Sequence, residues 1–254
     1  MSALRARCPH CRTLTAVAFD DGYECHSCGA PFAAGLVRVP RAWGAGGGAM
    51  AEAASLALPY PEALVVDEET LDRQTDVLAR GLPTRPLVLG GCCCAHLGAI
   101  RGLAARVDRL AVVWLDAHGD LNTPETSPSG NRWGMPLRMA IDEGSIETQD
   151  VALVGARDLD PPEREYLLAH RIDDDVERAL AGADAAYVAL DVDVLEPGSV
   201  PSFMPVAGGP STDDVRSLLQ RVAERTRVAG MGFTGLVPGA EAERVARFAA
   251  AAGL

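Results

Sequence analysis

Two apolar runs, residues 110–115 and 185–190, constrain the fold of this chain more than any other feature. Both are continuous rather than alternating, the pattern of a strand buried on both faces of a parallel sheet. Each leads directly into a short acidic cluster, Asp116-Ala-His118-Gly-Asp120 and Asp191-Val-Asp193. Side chains two apart in an extended segment point the same way, so each cluster can aim its ligands at one point. Four carboxylates and one imidazole then make a candidate site for one or two divalent metals.

The rest of the chain extends the same pattern. Further strand-like runs fall at 36–39, 63–66, 86–89, 151–154 and 227–232. Helical periodicity falls between them, at 69–79, 95–105, 162–170, 176–181, 212–224 and 240–252. Ser211 or Thr212 is a good N-cap, and Val215, Leu218, Leu219 and Val222 form one apolar stripe. Strand–helix alternation predicts a parallel sheet with helices on both faces. Sites in such sheets lie beyond the carboxyl ends of the strands, where both acidic clusters and the run Gly90-Gly91-Cys92-Cys93-Cys94 fall. The glycine-rich stretch 44–48 has no Lys and no clear helix after it, and reads as a flexible loop rather than a phosphate cradle.

Composition narrows the chemistry. The 254 residues, 48% apolar, suit one α/β domain plus a small appendage. All 23 basic residues are Arg, which excludes Schiff-base and lysine-dependent phosphate chemistry. Only five His exist: His10, His26, His96, His118 and His170. A net charge of −12 opposes broad nucleic-acid binding. No apolar run reaches the roughly 20 residues of a membrane helix. The first residues also lack the apolar core of a signal peptide, so a cytoplasmic location is expected.

Cys8-Pro-His-Cys11 and Cys25-His-Ser-Cys28 are two Cys-x-x-Cys pairs separated by thirteen residues. Four thiolates at this spacing predict a tetrahedral structural zinc held by Cys8, Cys11, Cys25 and Cys28. Short strands at 13–19 and 23–24 are expected between the knuckles. The alternative, a redox or disulfide pair, suits a cytosolic chain with two matched pairs less well. The expected domains are a zinc ribbon over 1–34 and the α/β domain over 35–254. The ribbon's basic and acidic residues balance, which points to docking or assembly rather than nucleic acid.

The motifs resemble those of the ureohydrolases, the family of arginases and agmatinases. The matching blocks are Gly90-Gly91, Asp116-Ala-His118-Gly-Asp120-Leu-Asn122-Thr-Pro124, Ser129-Gly-Asn131-x-x-Gly134-x-Pro136 and Leu190-Asp191-Val-Asp193-x-x-Glu196-Pro197. The resemblance implies an arginase-like three-layer αβα fold, a binuclear manganese centre and a bridging hydroxide that attacks a guanidinium carbon. It also implies a homo-oligomer, trimer or hexamer. Carried over by position, Asp116 and Asp191 would bridge two metals, Asp120 would complete one site, and His118 with Asp193 the other. Catalytic roles fall to Asp120 and His118. Asn122, Ser127, Ser129 and Asn131 resemble the loop for an amino acid's α-carboxylate. Asp160 and Glu163 resemble the segment that holds its α-amino group. Neutral donors suit a carboxylate and paired carboxylates suit an ammonium.

Three positions depart from the family pattern. A metal-ligand His becomes Cys93, whose softer thiolate favours zinc over manganese. Tight packing of small apolar side chains is the alternative reading of residues 92–94, and His96, one helical turn on, is a substitute ligand. A proton-shuttling His becomes Trp133, whose indole transfers no proton at neutral pH. A Glu that pairs with the guanidinium falls near Gly235. The expected function is metal-dependent hydrolysis of a C–N bond in a guanidino- or amidine-bearing amino acid, releasing urea or a substituted urea. The alternative is a catalytically impaired relative that acts as a ligand-binding or assembly subunit.

Overall fold

The computed structural model describes residues 5, 6, 11, 13, 15–19, 22–32 and 34–254. A four-stranded antiparallel sheet comes first, in the order β1 (Arg5–Ala6), β2 (Ala16–Phe19), β3 (Gly22–Cys25), β4 (Pro31–Phe32). Seven more strands follow: β5 (Gly35–Val39), β6 (Glu62–Val65), β7 (Pro86–Gly90), β8 (Leu110–Leu115), β9 (Val151–Val154), β10 (Ala185–Asp191) and β11 (Val228–Thr234). They form one sheet in the order β6-β5-β7-β11-β10-β8-β9, with every neighbouring pair parallel. The helices are α1 (Gly48–Ala53), α2 (Leu71–Gly81), α3 (Cys94–Ala104), α4 (Pro136–Asp142), α5 (Pro161–His170), α6 (Val176–Leu180), α7 (Thr212–Arg225) and α8 (Ala242–Ala251).

Period-two alternation within the central strands divides the interior into two layers. Leu87, Leu89, Val113, Leu115, Val188 and Leu190 face α7 and α8, through Leu219, Val222 and Phe248. Val88, Val112, Trp114 and Tyr187 point to the opposite face, against Leu97, Ile100 and Leu103 of α3. Both faces are apolar, which is why these strands read as continuous runs. Each buried leucine contributes about 2 kcal/mol to the fold. The arrangement is the expected αβα sandwich.

All seven expected strands of the main sheet form, within a residue or two at each end. Two helices lie outside the expected set. The first, α1, starts on Gly48 with no side-chain cap and spans only six residues; burial of Met50, not propensity, holds it. The second, α4, is seven residues long and begins at Pro136, a favoured first helical residue. The stretch 44–48 is packed rather than loose. A side chain on Gly44 would collide with the Trp133 ring and Asn131.

Parallel pairing sends the carboxyl ends of β7, β11, β10 and β8 to one edge as consecutive neighbours. Cys93, Thr234, Asp191 and Asp116 therefore stand side by side there. No helix among the described residues is long and apolar enough to cross a membrane.

Candidate metal centre

The strand ends open into a cleft of about 250 Å³. Its floor holds Cys93, Asp116, His118, Asp120, Asp191 and Asp193. The potential ligand atoms of Cys93, Asp116 and Asp191 lie within 4.8 Å of one another, and so do those of Asp116, His118 and Asp193. Asp116 belongs to both groups. Asp120 lines the same cleft outside them, at φ +53°, a left-handed conformation that non-glycine residues adopt at a cost.

Backbone geometry fixes most of these side chains. Asp116 Oδ1 accepts from the His118 amide at 2.8 Å, and Asp191 Oδ1 from the Asp193 amide at 3.0 Å. Ala117 N–H donates to Asp193 Oδ1 at 3.1 Å, which ties the two acidic clusters together. His118 Nδ1 sits 3.3 Å from Asp116 Oδ1 and 3.1 Å from Asp193 Oδ2. The Cys93 thiol donates to Asp191 Oδ2 at 3.0 Å.

The electrostatics call for a cation. Asp116, Asp120, Asp191 and Asp193 are 1–5% exposed, and among the described residues no Arg pairs with them. Burial, with Asp193 adding, raises Asp191 to about 7; burial, with Asp116 adding, raises Asp193 to about 6. Burial pushes Asp120 well above the usual carboxylate range. Burial alone would lower His118, but hydrogen bonds to Asp116 and Asp193 overcome it and push it up to about 12. Burial and the nearby aspartates raise the Cys93 thiol. Asp120 Oδ2 and His118 Nε2 are buried without a partner. Such a set is stable only when protons or cations neutralise it. Hard oxygens, one imidazole and one sulfur fit divalent metals, with the sulfur favouring the softer ones.

The expected substrate residues divide. Ser127 and Ser129 line the cleft, and their oxygens accept from Gly130 N–H at 3.0 Å and Asn131 N–H at 3.2 Å. The two hydroxyls also lie 3.5 Å apart, so one proton can be spent between them while the other is left to meet an anion. Asn122 is engaged on both sides, donating to Asp160 Oδ2 at 2.9 Å and accepting from Thr126 at 3.0 Å. Asn131 Oδ1 accepts from Ala45 N–H at 2.8 Å, which pins the glycine-rich stretch to the loop. Both Glu163 oxygens accept backbone N–H groups, Leu121 at 3.0 Å and Asp160 at 2.9 Å. Asp158, near His118 Nε2 at 4.0 Å, and Asp160 remain on the rim.

Sequence reasoning missed the apolar wall. Met50, Phe203 and Met204 line the cleft with Trp133, whose ring meets Phe203 edge-on at 5.8 Å. Phe203 lies in an irregular segment with no periodicity to reveal it. Thr234 was also missed, although its place at a strand's carboxyl end would have found it. His96 turns away from the metal groups, toward Tyr187 and Thr234. A Cβ at Gly235 would collide with the Asp191 carboxylate. In the N-terminal sheet, Cys11, Cys25 and Cys28 converge within 4.8 Å, while Cys8 lies outside the described residues.

Comparison with known proteins agrees with the fold. The arginase of Bacillus subtilis (strain 168) is 38% identical over 182 residues, 60% of this chain and 62% of that protein. The chain thus matches about three-fifths of the length of that curated relative. A crystal structure of arginase from Bacillus subtilis superposes with a TM-score of 0.77 at 23% identity, over 86% of this chain and 97% of that one. Formiminoglutamase from Trypanosoma cruzi, with Mn2+, superposes with a TM-score of 0.65 at 19% identity, over 86% and 91%. At these identities the two structures speak to the fold. The sequence model of the arginase family matches residues 49–253, and the chain belongs to that family.

Proposed function

We propose that this protein is a metal-dependent hydrolase of a C–N bond in a guanidino- or amidine-bearing amino acid. One observation carries the reading: six side chains able to bind a metal line one cleft, five of them in two groups whose ligand atoms lie within 4.8 Å, and among the described residues their one basic partner is His118. Cys93, Asp116, Asp120 and Asp191 would hold one divalent ion, and Asp116, His118, Asp191 and Asp193 the other. When bound, such ions would lower the pKa of water and polarise the substrate for attack. Family membership supports manganese. Cys93 gives its side of the centre an affinity for zinc as well.

The chain's own residues set the substrate's position. Ser127 and Ser129 offer hydroxyl donors to a carboxylate, and Asp158 and Asp160 face an ammonium on the rim. Trp133, Phe203 and Met50 exclude water from one side of the reacting centre. Neither Trp133 nor Gly235 can carry a proton or a charge. A leaving group that departs without an internal proton shuttle therefore suits this cleft. A modified guanidine with a more acidic leaving nitrogen fits it better than arginine; urea is then the product, or a substituted urea where a retained nitrogen carries the modification.

The N-terminal residues 1–34 are read as a separate zinc ribbon in which Cys8 joins Cys11, Cys25 and Cys28, serving assembly of a homo-oligomer. A cytoplasmic protein with a small-molecule substrate is the consistent picture. The test is a panel of guanidino and amidine amino acids offered to manganese-loaded protein, with urea and substituted ureas read by mass spectrometry. Manganese-dependent release that disappears in Asp191→Asn is expected. Loaded protein inert on the whole panel would favour the impaired, ligand-binding alternative.

A further inference from the structure

Behind the metal ligands lies a line of buried polar side chains that the proposed chemistry does not use. Tyr187 Oη is 2.9 Å from His96 Nδ1, His96 Nε2 is 3.1 Å from Thr234 Oγ1, and Thr234 Oγ1 donates to Asp191 Oδ2 at 3.1 Å. Tyr187, Thr234 and His96 are at most 1% exposed.

Proton bookkeeping gives the line one direction. Asp191 in its ionised form, the form that can hold a cation, only accepts, so the single Thr234 hydroxyl proton goes to it. Thr234 must then accept from His96, which places the imidazole proton on Nε2. His96 Nδ1 is left as an acceptor and takes the Tyr187 proton. Burial holds His96 down to about 3, so the ring is neutral and carries only that one proton. Cys93 Sγ is a further, longer contact of Thr234 Oγ1 at 3.5 Å, and with the thiol proton given to Asp191 at 3.0 Å each donor along the line keeps one acceptor.

The sheet is shaped around this line. Gly232 of β11 lies beneath the His96–Tyr187 contact, and a Cβ there would come within 2.5 Å of Tyr187 Oη and 2.7 Å of His96 Nδ1. His96 also meets Trp114 edge-on at 5.1 Å. Trp114 Nε1 donates to Asp116 Oδ2 at 3.3 Å. The aromatic cluster therefore donates to Asp116 directly, through Trp114, and reaches Asp191 through Thr234.

We propose that Thr234, aligned by His96 and Tyr187, is a positioning residue that fixes the Asp191 carboxylate for metal binding. A proton conduit is the competing role for such a line. Its far end is Tyr187, fully buried in the sheet, so it offers a proton no exit to solvent. Positioning is what remains. Asp191 Oδ2 takes two side-chain donors, Cys93 Sγ at 3.0 Å and Thr234 Oγ1 at 3.1 Å, and of these two Thr234 is the one that stands outside the proposed ligand set. Partners that orient a ligand from behind are worth about 10- to 100-fold in metal affinity.

The inference rests on the metal reading above, and its test separates the two. Manganese affinity of the full chain is measured by competition titration for wild type, Thr234→Val, Thr234→Ser and Tyr187→Phe, alongside thermal melts of the metal-free proteins. Thr234→Val is expected to bind manganese about 10- to 100-fold more weakly, Thr234→Ser to recover most of the loss, and Tyr187→Phe to weaken binding by a smaller factor in the same direction. A role in packing alone would move the melt and leave the affinity of folded protein unchanged. Wild type that binds no manganese overturns the metal reading beneath the inference. Wild type that binds, with unchanged affinity in folded Thr234→Val, overturns the inference alone. If Thr234→Val does not fold, unchanged affinity in Tyr187→Phe overturns it equally.

Discussion

Cys93 and Gly235 are the residues at which this chain redefines its cleft. Without metal, the Cys93 thiol is neutral and donates to Asp191; a bound cation is what makes it a thiolate ligand. Cys93→His replaces a soft ligand with a borderline one, so the ratio of manganese to zinc affinity is expected to rise, read by competition between the two ions with metal analysis of the recovered protein. An unchanged ratio would place Cys93 outside the centre. Gly235 has φ +70°, and the Asp191 carboxylate occupies the space a side chain would take. Gly235→Glu is therefore not a restoration of a guanidinium partner. It is expected to displace Asp191, to add about 1 kcal/mol of backbone strain, and to lose manganese affinity in the same titration. Retained affinity with new arginine turnover would contradict this. The Asp-x-His-x-Asp and Asp-x-Asp spacings made the acidic clusters at the strand ends legible in sequence, but not their local shape: residues 192–194 form a 3-10 turn and Asp120 has φ +53°, so neither cluster is the extended segment expected. The occupation of Gly235's space was not legible, since it depends on a rotamer from a neighbouring strand.

At the scale of elements, α5 does more than pack. Asp160 and Glu163 form a capping box at its start, and Glu163 also accepts from Leu121 N–H, the residue after Asp120. The helix start thereby clamps the loop that carries the first acidic cluster. Glu163→Ala removes two hydrogen bonds to a charged group and is expected to cost about 2 kcal/mol in urea unfolding, with a parallel loss of metal affinity from the loosened loop. Stability loss without any change in affinity would assign Glu163 to the helix alone. Its position in the sequence resembles an ammonium-binding segment, and the same carboxylate satisfies a helix start. Sequence alone could not separate these because Asp-x-x-Glu is also a capping signature. The main strands, by contrast, were legible to within a residue or two, because burial on both faces leaves continuous apolar runs. The helices α1 and α4 were not: both are short, and tertiary contacts hold them rather than pattern.

For the molecule as a whole, the cleft makes stability depend on pH and metal together. Asp191 at about 7 and Asp193 at about 6 are raised by burial and a neighbouring carboxylate, so the native state holds protons that the unfolded state has released. Metal-free stability therefore falls as pH rises from about 4 toward 7, and His118, at about 12, extends the same trend above about 6.5. The melting temperature of metal-free protein is expected to decline over that window. Added manganese should raise it more at higher pH, because ligation requires ionised carboxylates. A melting temperature that climbs with pH in the absence of metal would contradict the assignment. Cys93 and the two acidic clusters would together form one binuclear centre. The most direct measurement is anomalous scattering from crystals of the full chain grown with manganese. The account predicts two peaks in the cleft, one bounded by Cys93, Asp116 and Asp191 and one by Asp116, His118 and Asp193. An empty cleft, or a single peak remote from Cys93, would contradict it.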